Sequence, residues 1–268
     1  MPVYLPTPTR ERLSLTLVGV LLALRFPLLF AASFGWLDQE LSLAAFLCGT
    51  YLCTGLFLCL NLERLDSFGF SLPALLFFLG APVLLGVTAP STDATIVFRM
   101  IVAVTVGVYL LASRRSLRLV RQSLGRVAGN LLFTLLAAAA GVVVLLCING
   151  YTGPGQEPFT PSWLVDSLCF QLSFAAVMEE PLFRGFLWGY LRRWGLSPGW
   201  TAVAQAGLFW VGHLYYLPTG LNFWLCIPLA ALLLGLVRMR TGSVAYSMVL
   251  HTLLNSLLDL FRHMVRLF

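Results

Sequence analysis

Residues 172–188 read LSFAAVMEEPLFRGFLW. The run is apolar enough to lie inside a membrane, yet its centre holds two glutamates, a proline and an arginine. An ionisable residue inside a membrane-spanning helix costs at least about 2.5–3.5 kcal/mol, so such residues either pair with one another or serve a function. The stretch therefore predicts a membrane-embedded helix that carries a polar site.

The spacing within this stretch gives its two glutamates different partners. Successive helical residues point about 100° apart, so Glu179 and Glu180 cannot share one face. Glu180 and Arg184 are four residues apart and can form an ion pair along the helix. Pro181 cannot donate a backbone hydrogen bond and is expected to loosen the turn before it. We predict that Glu180 is paired locally and that Glu179 points elsewhere; a purely structural salt bridge between helices is the alternative.

Composition indicates that the whole chain is a membrane protein. Of its 268 residues, 59% are hydrophobic and 10% are charged, whereas soluble domains carry about 25% charged residues. The net charge of +6 arises from arginines with no lysine, and these lie mainly between apolar runs. That distribution is typical of orientation signals and not of nucleic-acid binding. The six cysteines lie inside apolar runs and form neither a disulfide framework nor a thiolate metal motif.

The apolar segments predict a polytopic helical bundle. A helix needs about 20 apolar residues to cross the bilayer, and nine segments approach this length; eight spans plus one re-entrant segment is the alternative. The nine segments are 13–35, 41–61, 68–89, 95–112, 127–149, 163–191, 199–217, 223–237 and 243–261. The expected fold is all-α, a polytopic transmembrane bundle with eight or nine spans.

The arginines predict the orientation of the bundle. If the N-terminus is cytoplasmic, twelve arginines fall in inside segments and the outside loops between the spans hold none. This bias is the one that cytoplasmic loops show. Arg262 and Arg266 fall outside in the nine-span arrangement, which leaves open whether the last helix crosses fully. The use of arginine alone suggests a GC-rich genome, so we expect the cytoplasmic membrane of a bacterium.

The chain divides functionally near residue 150. Residues 1–150 are expected to form N-terminal transmembrane helices of unassigned role, with Arg25 and Arg99 as their intramembrane charges. Each of these arginines can snorkel to the interface or face a polar cavity, and we assign neither a catalytic role. Residues 151–268 hold the groups that can do chemistry.

Two of the three histidines and one asparagine lie in later apolar segments. His213 follows the residues FWVG, and His251 begins the sequence HTLLN. His251 and Asn255 are four residues apart, so a helix presents them on one face. A single buried histidine is more often a core residue than a catalyst. A glutamate, two histidines and an asparagine on three segments can nevertheless converge in a bundle. His263 is expected to be interfacial.

Three motifs in this order resemble the signature of the CAAX-protease and bacteriocin-processing (CPBP, or Abi) family of intramembrane proteases. The motifs are Glu179-Glu180-x-x-x-Arg184, Phe209-x-x-x-His213 and His251-x-x-x-Asn255. The resemblance covers about residues 163–262. Each motif is weak by itself, whereas the ordered set, with each motif in its own apolar segment, is specific.

The resemblance implies a helical-bundle peptidase whose catalytic groups lie within the membrane. By motif position, Glu179 would be the general base, and His213 would help to hold and activate a water. His251 and Asn255 would stabilise the oxyanion formed on the scissile carbonyl, as neutral donors that bring no further charge into the membrane. Donors of this kind contribute about 10²–10³ in rate each.

The resemblance also assigns supporting residues and bears on cofactors. Glu180 and Arg184 would support the site or orient the substrate. No cofactor is expected, because the helical zinc motif His-Glu-x-x-His does not occur. A zinc site of the two-histidine, one-carboxylate type remains an alternative, with Glu179, His213 and His251 as ligands.

The function that we expect is that of an intramembrane endopeptidase of the glutamate type. It would hydrolyse a peptide bond near the C-terminal tail of a membrane-anchored or lipidated protein, so its partners would be membrane lipid and that substrate. Two alternatives belong to other classes. One is a non-catalytic membrane scaffold or immunity protein of the same fold. The other is an ion- or proton-coupled transporter in which the buried glutamate and histidines form a relay.

Overall fold

The computed structural model describes residues 7–88, 93–149, 153–154 and 161–266, and almost all of these residues are helical. The α-helices are α1 Thr7–Ala23, α2 Leu29–Ser33, α3 Gln39–Leu60, α4 Leu72–Thr88, α5 Ala94–Ala112, α6 Leu124–Asn149, α7 Pro161–Gln171, α8 Val177–Glu180, α9 Trp188–Arg193, α10 Pro198–Val211, α11 Ile227–Thr241 and α12 Val244–Met264. Two dipeptides, β1 Gly153–Pro154 and β2 Val265–Arg266, pair antiparallel. This pairing brings the end of α12 to the loop that precedes α7.

Wider π-helical turns interrupt or extend several of these helices. They lie at Leu24–Leu28, Leu172–Ala176, Pro181–Leu187 and Asn222–Cys226. The turns at 172–176 and 181–187 join α7, α8 and α9 into one continuous helix from Pro161 to Arg193, which we call the long helix. Turns of this kind occur frequently at functional sites. A proline lies in two of them, and its missing N–H removes one bond from the helical ladder.

Six helices among the described residues are long and apolar enough to cross a membrane. They are Pro8–Ser33, Gln39–Leu60, Ala94–Ala112, Leu124–Ile148, Asn222–Thr241 and Val244–Phe261, and Leu72–Val87 is a shorter apolar helix. The chain is an integral membrane protein with the predicted helical-bundle fold. The predicted count of eight or nine spans is not confirmed by these six.

The seventh predicted segment, 199–217, is a shorter helix than the sequence indicated. The α10 helix ends at Val211, and a 3₁₀ turn at Leu214–Thr219 follows it. Glycine is a poor helix former, and Gly212 at the end of α10 explains why the helix stops there. With 14 residues, α10 extends only about 21 Å, which is less than the roughly 30 Å of the hydrocarbon core.

A cluster of aromatic side chains fastens the long helix to the N-terminal helices. Phe57, Phe68, Phe70 and Phe186 are all fully buried. Phe186 stacks on Phe57 with ring centroids 3.7 Å apart and on Phe70 at 5.7 Å. Residues from both sides of position 150 therefore share one hydrophobic core, and the functional division at that position stays a prediction.

Arginines from three segments that were predicted to be cytoplasmic meet at one end of the bundle. Arg10 pairs with Glu63 at 3.2 Å, and Glu11 pairs with Arg64 at 2.5 Å and with Arg193 at 3.4 Å. The start of α1, the α3–α4 connection and the end of the long helix thus lie on the same side. Which side of the membrane this is stays a prediction.

Candidate active site

The first motif lies where α8 meets the π-turn at Pro181–Leu187, in the middle of the long helix. Glu180 is fully buried, and its Oε1 atom accepts a hydrogen bond from Nη1 of Arg184 at 3.1 Å. The predicted local pair is therefore present. The same oxygen lies 2.8 Å from Nδ1 of His251 on α12. One carboxylate thus connects the first motif to the third.

Arg184 also fixes the long helix against α11. Its Nη2 donates to the carbonyl of Ala231 at 3.0 Å, and its own carbonyl accepts from Nε of Arg238 at 2.8 Å. Its guanidinium lies 4.5 Å from the ring centroid of Phe209. Arg184 is completely buried, so these contacts, together with Glu180, account for how its charge is held in the interior.

Glu179 faces a different direction from Glu180, as the sequence predicts, and meets residues from three other parts of the chain. Its Oε1 atom is 2.8 Å from Nη2 of Arg25 and 3.8 Å from Nε2 of His213. Its Oε2 atom is 3.9 Å from Nε2 of His251. The side chain is only 10% exposed. Its counter-charge comes from the first helix of the chain.

His213 lies in the turn just after α10 and is held by its own backbone. Its Nδ1 atom is 2.7 Å from the carbonyl of Phe209. Because a carbonyl can only accept, Nδ1 carries the proton, and Nε2 of the neutral ring is an acceptor. Nε2 lies 2.7 Å from Nη2 of Arg25. The seventh segment therefore contributes its histidine from the end of a helix and not from its middle.

Asn255 lies one helical turn after His251 on α12 and belongs to a second polar network. Its Nδ2 atom donates to Oε1 of Gln171 at 2.9 Å, and Nε2 of Gln171 donates to Oδ2 of Asp259 at 2.9 Å. These two hydrogen bonds fix the orientations of the Asn255 and Gln171 amides. Asn255 therefore presents its amide from a defined position between α12 and the long helix.

These polar groups line one cavity of about 550 Å³, which we call the central cavity. Glu179, His213, His251 and Asn255 all contribute to its wall. The rest of its wall is largely apolar; Leu145, Phe170, Phe174, Leu254 and Leu258 belong to it. Cavities of roughly 300–1,000 Å³ with a few convergent polar groups are typical of small-ligand and substrate sites. This one can hold a short segment of polypeptide.

Three residues of the site were not assigned from the sequence. Arg25 was recognised as an intramembrane charge but was given no role, because nothing local connects it to the later motifs. Asp259 extends the spacing of His251 and Asn255 by a further four residues, so the same helical face could have identified it. Gln171 lies eight residues before Glu179, which is roughly the same side of a helix.

No group of three or more histidine, cysteine, aspartate or glutamate side chains is arranged to hold a metal ion in the part of the chain that the structure describes. The geometry around Glu179 explains this for the alternative zinc set. The guanidinium of Arg25 lies against both Oε1 of Glu179 and Nε2 of His213. A cation at these ligand atoms would have to displace another cation, so the arrangement does not fit zinc.

Comparison with known proteins extends this description. The family model described as type II CAAX prenyl endopeptidase Rce1-like matches residues 161–257, which include all three motifs. No curated protein and no solved structure was found to match the chain. The match confirms the family that the motifs predicted, and Arg25 and Asp259 lie outside it. Residues 161–257 of this integral membrane protein thus match the Rce1-like family of type II CAAX prenyl endopeptidases.

Proposed function

We propose that this protein is an intramembrane endopeptidase that cleaves near the C-terminal tail of membrane-anchored or lipidated proteins. The match to the Rce1-like family supports a protease of the CAAX type at the level of the family. The observation that carries the finer proposal is the convergence of Glu179, His213, His251 and Asn255 on the central cavity. A scaffold protein has no need for a carboxylate flanked by two imidazoles in a cavity.

Glu179 is the general base in the proposed reaction. Its carboxylate is separated from His213 and from His251 by 3.8 and 3.9 Å, which are distances that a single water can bridge. Glu179 takes a proton from that water as the hydroxide adds to the scissile carbonyl carbon. The C–N bond then breaks, and the proton on Glu179 passes to the leaving amine. The carboxylate is thereby restored, and the products are a carboxylic acid and an amine.

Asn255 and His251 stabilise the oxyanion of the tetrahedral intermediate. One Nδ2 hydrogen of Asn255 is donated to Gln171, and the other can reach a group in the central cavity. His251 uses Nδ1 toward Glu180, so its hydrogen bond to the oxyanion must come from Nε2. His251 therefore donates as an imidazolium with Glu180 as counter-ion. This modifies the neutral donor that the sequence suggested.

The reaction proposed here needs no metal, because the water is activated by Glu179 itself. Arg25 contacts Oε1 of Glu179 and Nε2 of His213, two of the atoms that would bind zinc, and this contact supports the metal-free reaction. Catalysis would depend instead on fixed donors in a water-poor site, where electrostatic interactions are stronger than in water.

The location of the site in the bundle supports the proposed substrate class. Glu179 precedes Arg192, which is predicted to be cytoplasmic, by 13 positions, or about 20 Å of helix. The base thus lies at mid-depth or farther toward the opposite side. This depth suits a membrane-anchored tail that reaches the site laterally or from the outside. Apolar residues in the cavity wall would contact the flanking residues of the tail.

A cleavage assay with membrane-tethered peptides tests the proposal. Purified protein in lipid nanodiscs would be incubated with a library of such peptides, and the products identified by mass spectrometry. Wild-type protein is expected to cleave a subset, and Glu179→Gln and His213→Ala are expected to lose that activity. Glu63→Gln is the matched control, because Glu63 pairs with Arg10 at the arginine-rich end of the bundle. Cleavage that persists unchanged in Glu179→Gln would refute the proposed mechanism.

A chelator separates the metal-free reaction from the zinc alternative. We expect 1,10-phenanthroline to leave the rate unchanged, with metal analysis of the active protein as a second readout. Loss of activity on chelation and its recovery with zinc would establish the alternative.

A further inference from the structure

Arg25 comes from a part of the chain that the family match does not cover. It lies in the π-turn Leu24–Leu28 between α1 and α2, and it lines the central cavity although only 4% of it is exposed. The same turn contains Pro27, whose missing N–H breaks the regular helical ladder. The first helix is therefore irregular where it carries its buried charge, and that charge faces the motif residues.

One nitrogen of this guanidinium contacts two of the proposed catalytic groups. Nη2 of Arg25 is 2.8 Å from Oε1 of Glu179 and 2.7 Å from Nε2 of His213. The guanidinium also lies 5.7 Å from the ring centroid of Phe46 and 5.8 Å from that of Tyr215. A planar group held by two rings and two acceptors has little freedom. It therefore restricts the positions of both acceptors.

Arg25 is the guanidinium partner of Glu179. Glu180 is paired with Arg184 within the long helix, and the histidine nitrogens nearest to Glu179 lie 3.8 and 3.9 Å from its carboxylate. An isolated carboxylate in a low-dielectric interior is strongly disfavoured. Arg25 supplies a permanent positive charge at 2.8 Å from Glu179, closer than either histidine.

We propose, on the basis of the proposed function above, that Arg25 is a positioning residue of the peptidase. It holds Glu179 as an ionised base and sets the separation between that base and His213. The N-terminal helices would thereby complete a site whose motifs all lie in the C-terminal part. Nε2 of His213 has one lone pair, and Arg25 already contacts it. A water that binds His213 must therefore share this lone pair with Arg25 or displace Arg25 from it. Arg25 stays paired with Glu179 in either arrangement.

Substitution and chemical rescue distinguish positioning from general support of the fold. Arg25→Gln is expected to lower kcat by about 10²-fold, as misplacement of a reacting group does, with a smaller change in KM. Arg25→Lys keeps the charge and is expected to retain more activity. Arg25→Ala opens a space beside the central cavity, so millimolar guanidinium ion is expected to restore part of its rate. It should not restore the double variant Arg25→Ala/Glu179→Gln.

Arg99→Gln is the matched control. Arg99 is another buried arginine of the N-terminal helices, 2% exposed, and it donates to the carbonyl of Thr95 on its own helix. It does not line the central cavity. We expect this variant to keep the wild-type rate, and guanidinium to leave that rate unchanged.

A stability cycle tests the pairing without relying on activity. Arg25→Gln leaves the buried Glu179 carboxylate without its nearest counter-charge, so Arg25→Gln/Glu179→Gln is expected to melt at a higher temperature than Arg25→Gln alone. Strictly additive melting-temperature changes would overturn the inference, whether or not the protein cleaves any peptide. A wild-type rate in Arg25→Gln, with loss of activity in Glu179→Gln, would also overturn it and would leave the proposed function intact.

Discussion

Nδ1 of His251 lies 2.8 Å from the same oxygen of Glu180 that Arg184 contacts at 3.1 Å. This oxygen joins the long helix to α12 through a fully buried carboxylate. Removal of the charge on Glu180 would leave Arg184 without a counter-ion and would weaken the acceptor to which Nδ1 of His251 donates. Glu180 thus connects the stability of the bundle to the chemistry of its site.

Glu180→Gln is expected to destabilise the protein by about 3–5 kcal/mol, because breaking a buried ion pair leaves an uncompensated charge. Reversible unfolding in mixed micelles measures this free energy. Glu63→Gln provides the comparison, since the pair of Glu63 with Arg10 is partly exposed and such pairs contribute about 0–1 kcal/mol. Equal losses in the two variants would contradict the burial argument.

Asn255→Ala is expected to lower kcat by about 10²–10³-fold with little change in KM, because it removes a donor that acts mainly in the transition state. Steady-state kinetics on a peptide found in the library assay provides both constants. Asn130→Ala is the control, since Asn130 carries an amide on α6 that contacts Gln122 outside the central cavity. A loss confined to KM would assign Asn255 to substrate binding instead.

Gln171→Leu is expected to reduce activity less than Asn255→Ala does, because Gln171 acts by orienting the Asn255 amide. The double variant should be no slower than Asn255→Ala alone, since residues that act through one another are non-additive. Asp259→Asn, which perturbs the acceptor for Gln171, should behave in the same way. Independent, multiplicative losses in kcat would show that Gln171 has a separate role.

The orientation of the bundle can be tested with single cysteines placed in a cysteine-free background. A cysteine at Gly220, in the turn before the π-turn at Asn222–Cys226, is expected to react with an impermeant maleimide added outside intact cells. A cysteine at Arg115 should react only after the membrane is permeabilised. The reverse pattern would invert the predicted topology and with it the side from which the substrate enters.

Much of the fold could be predicted from local pattern. The nine apolar segments coincide with helical stretches, and the four-residue spacing of Glu180 and Arg184 correctly indicated an ion pair. The end of α10 was predicted wrongly, because hydropathy continues through the aromatic turn at 214–219 whereas Gly212 stops the helix. The number of membrane crossings could not be predicted from the hydropathy pattern either, since hydropathy does not reveal whether a helix traverses the bilayer or only enters it.

For the site, the motif spacing predicted which side chains carry chemistry but not which of them meet. Nothing close to Arg25 in the chain points to Glu179, and a buried arginine can equally snorkel or pair. The hydrogen bond of His251 to Glu180 was likewise absent from the expectation, and it changes which nitrogen of His251 can act on a substrate.

The amino-acid sequence by itself determined that the chain lies in a membrane, that its fold is helical and which polar residues its apolar segments carry. Composition and helical spacing are sufficient for this, because both act over a few residues. It also determined that Glu180 has a local partner and that Glu179 has none. Only the tertiary structure decided that the partner of Glu179 is Arg25, because distant helices must pack before their buried charges can compensate one another. Long-range pairing in a low-dielectric interior depends on geometry that no local pattern contains.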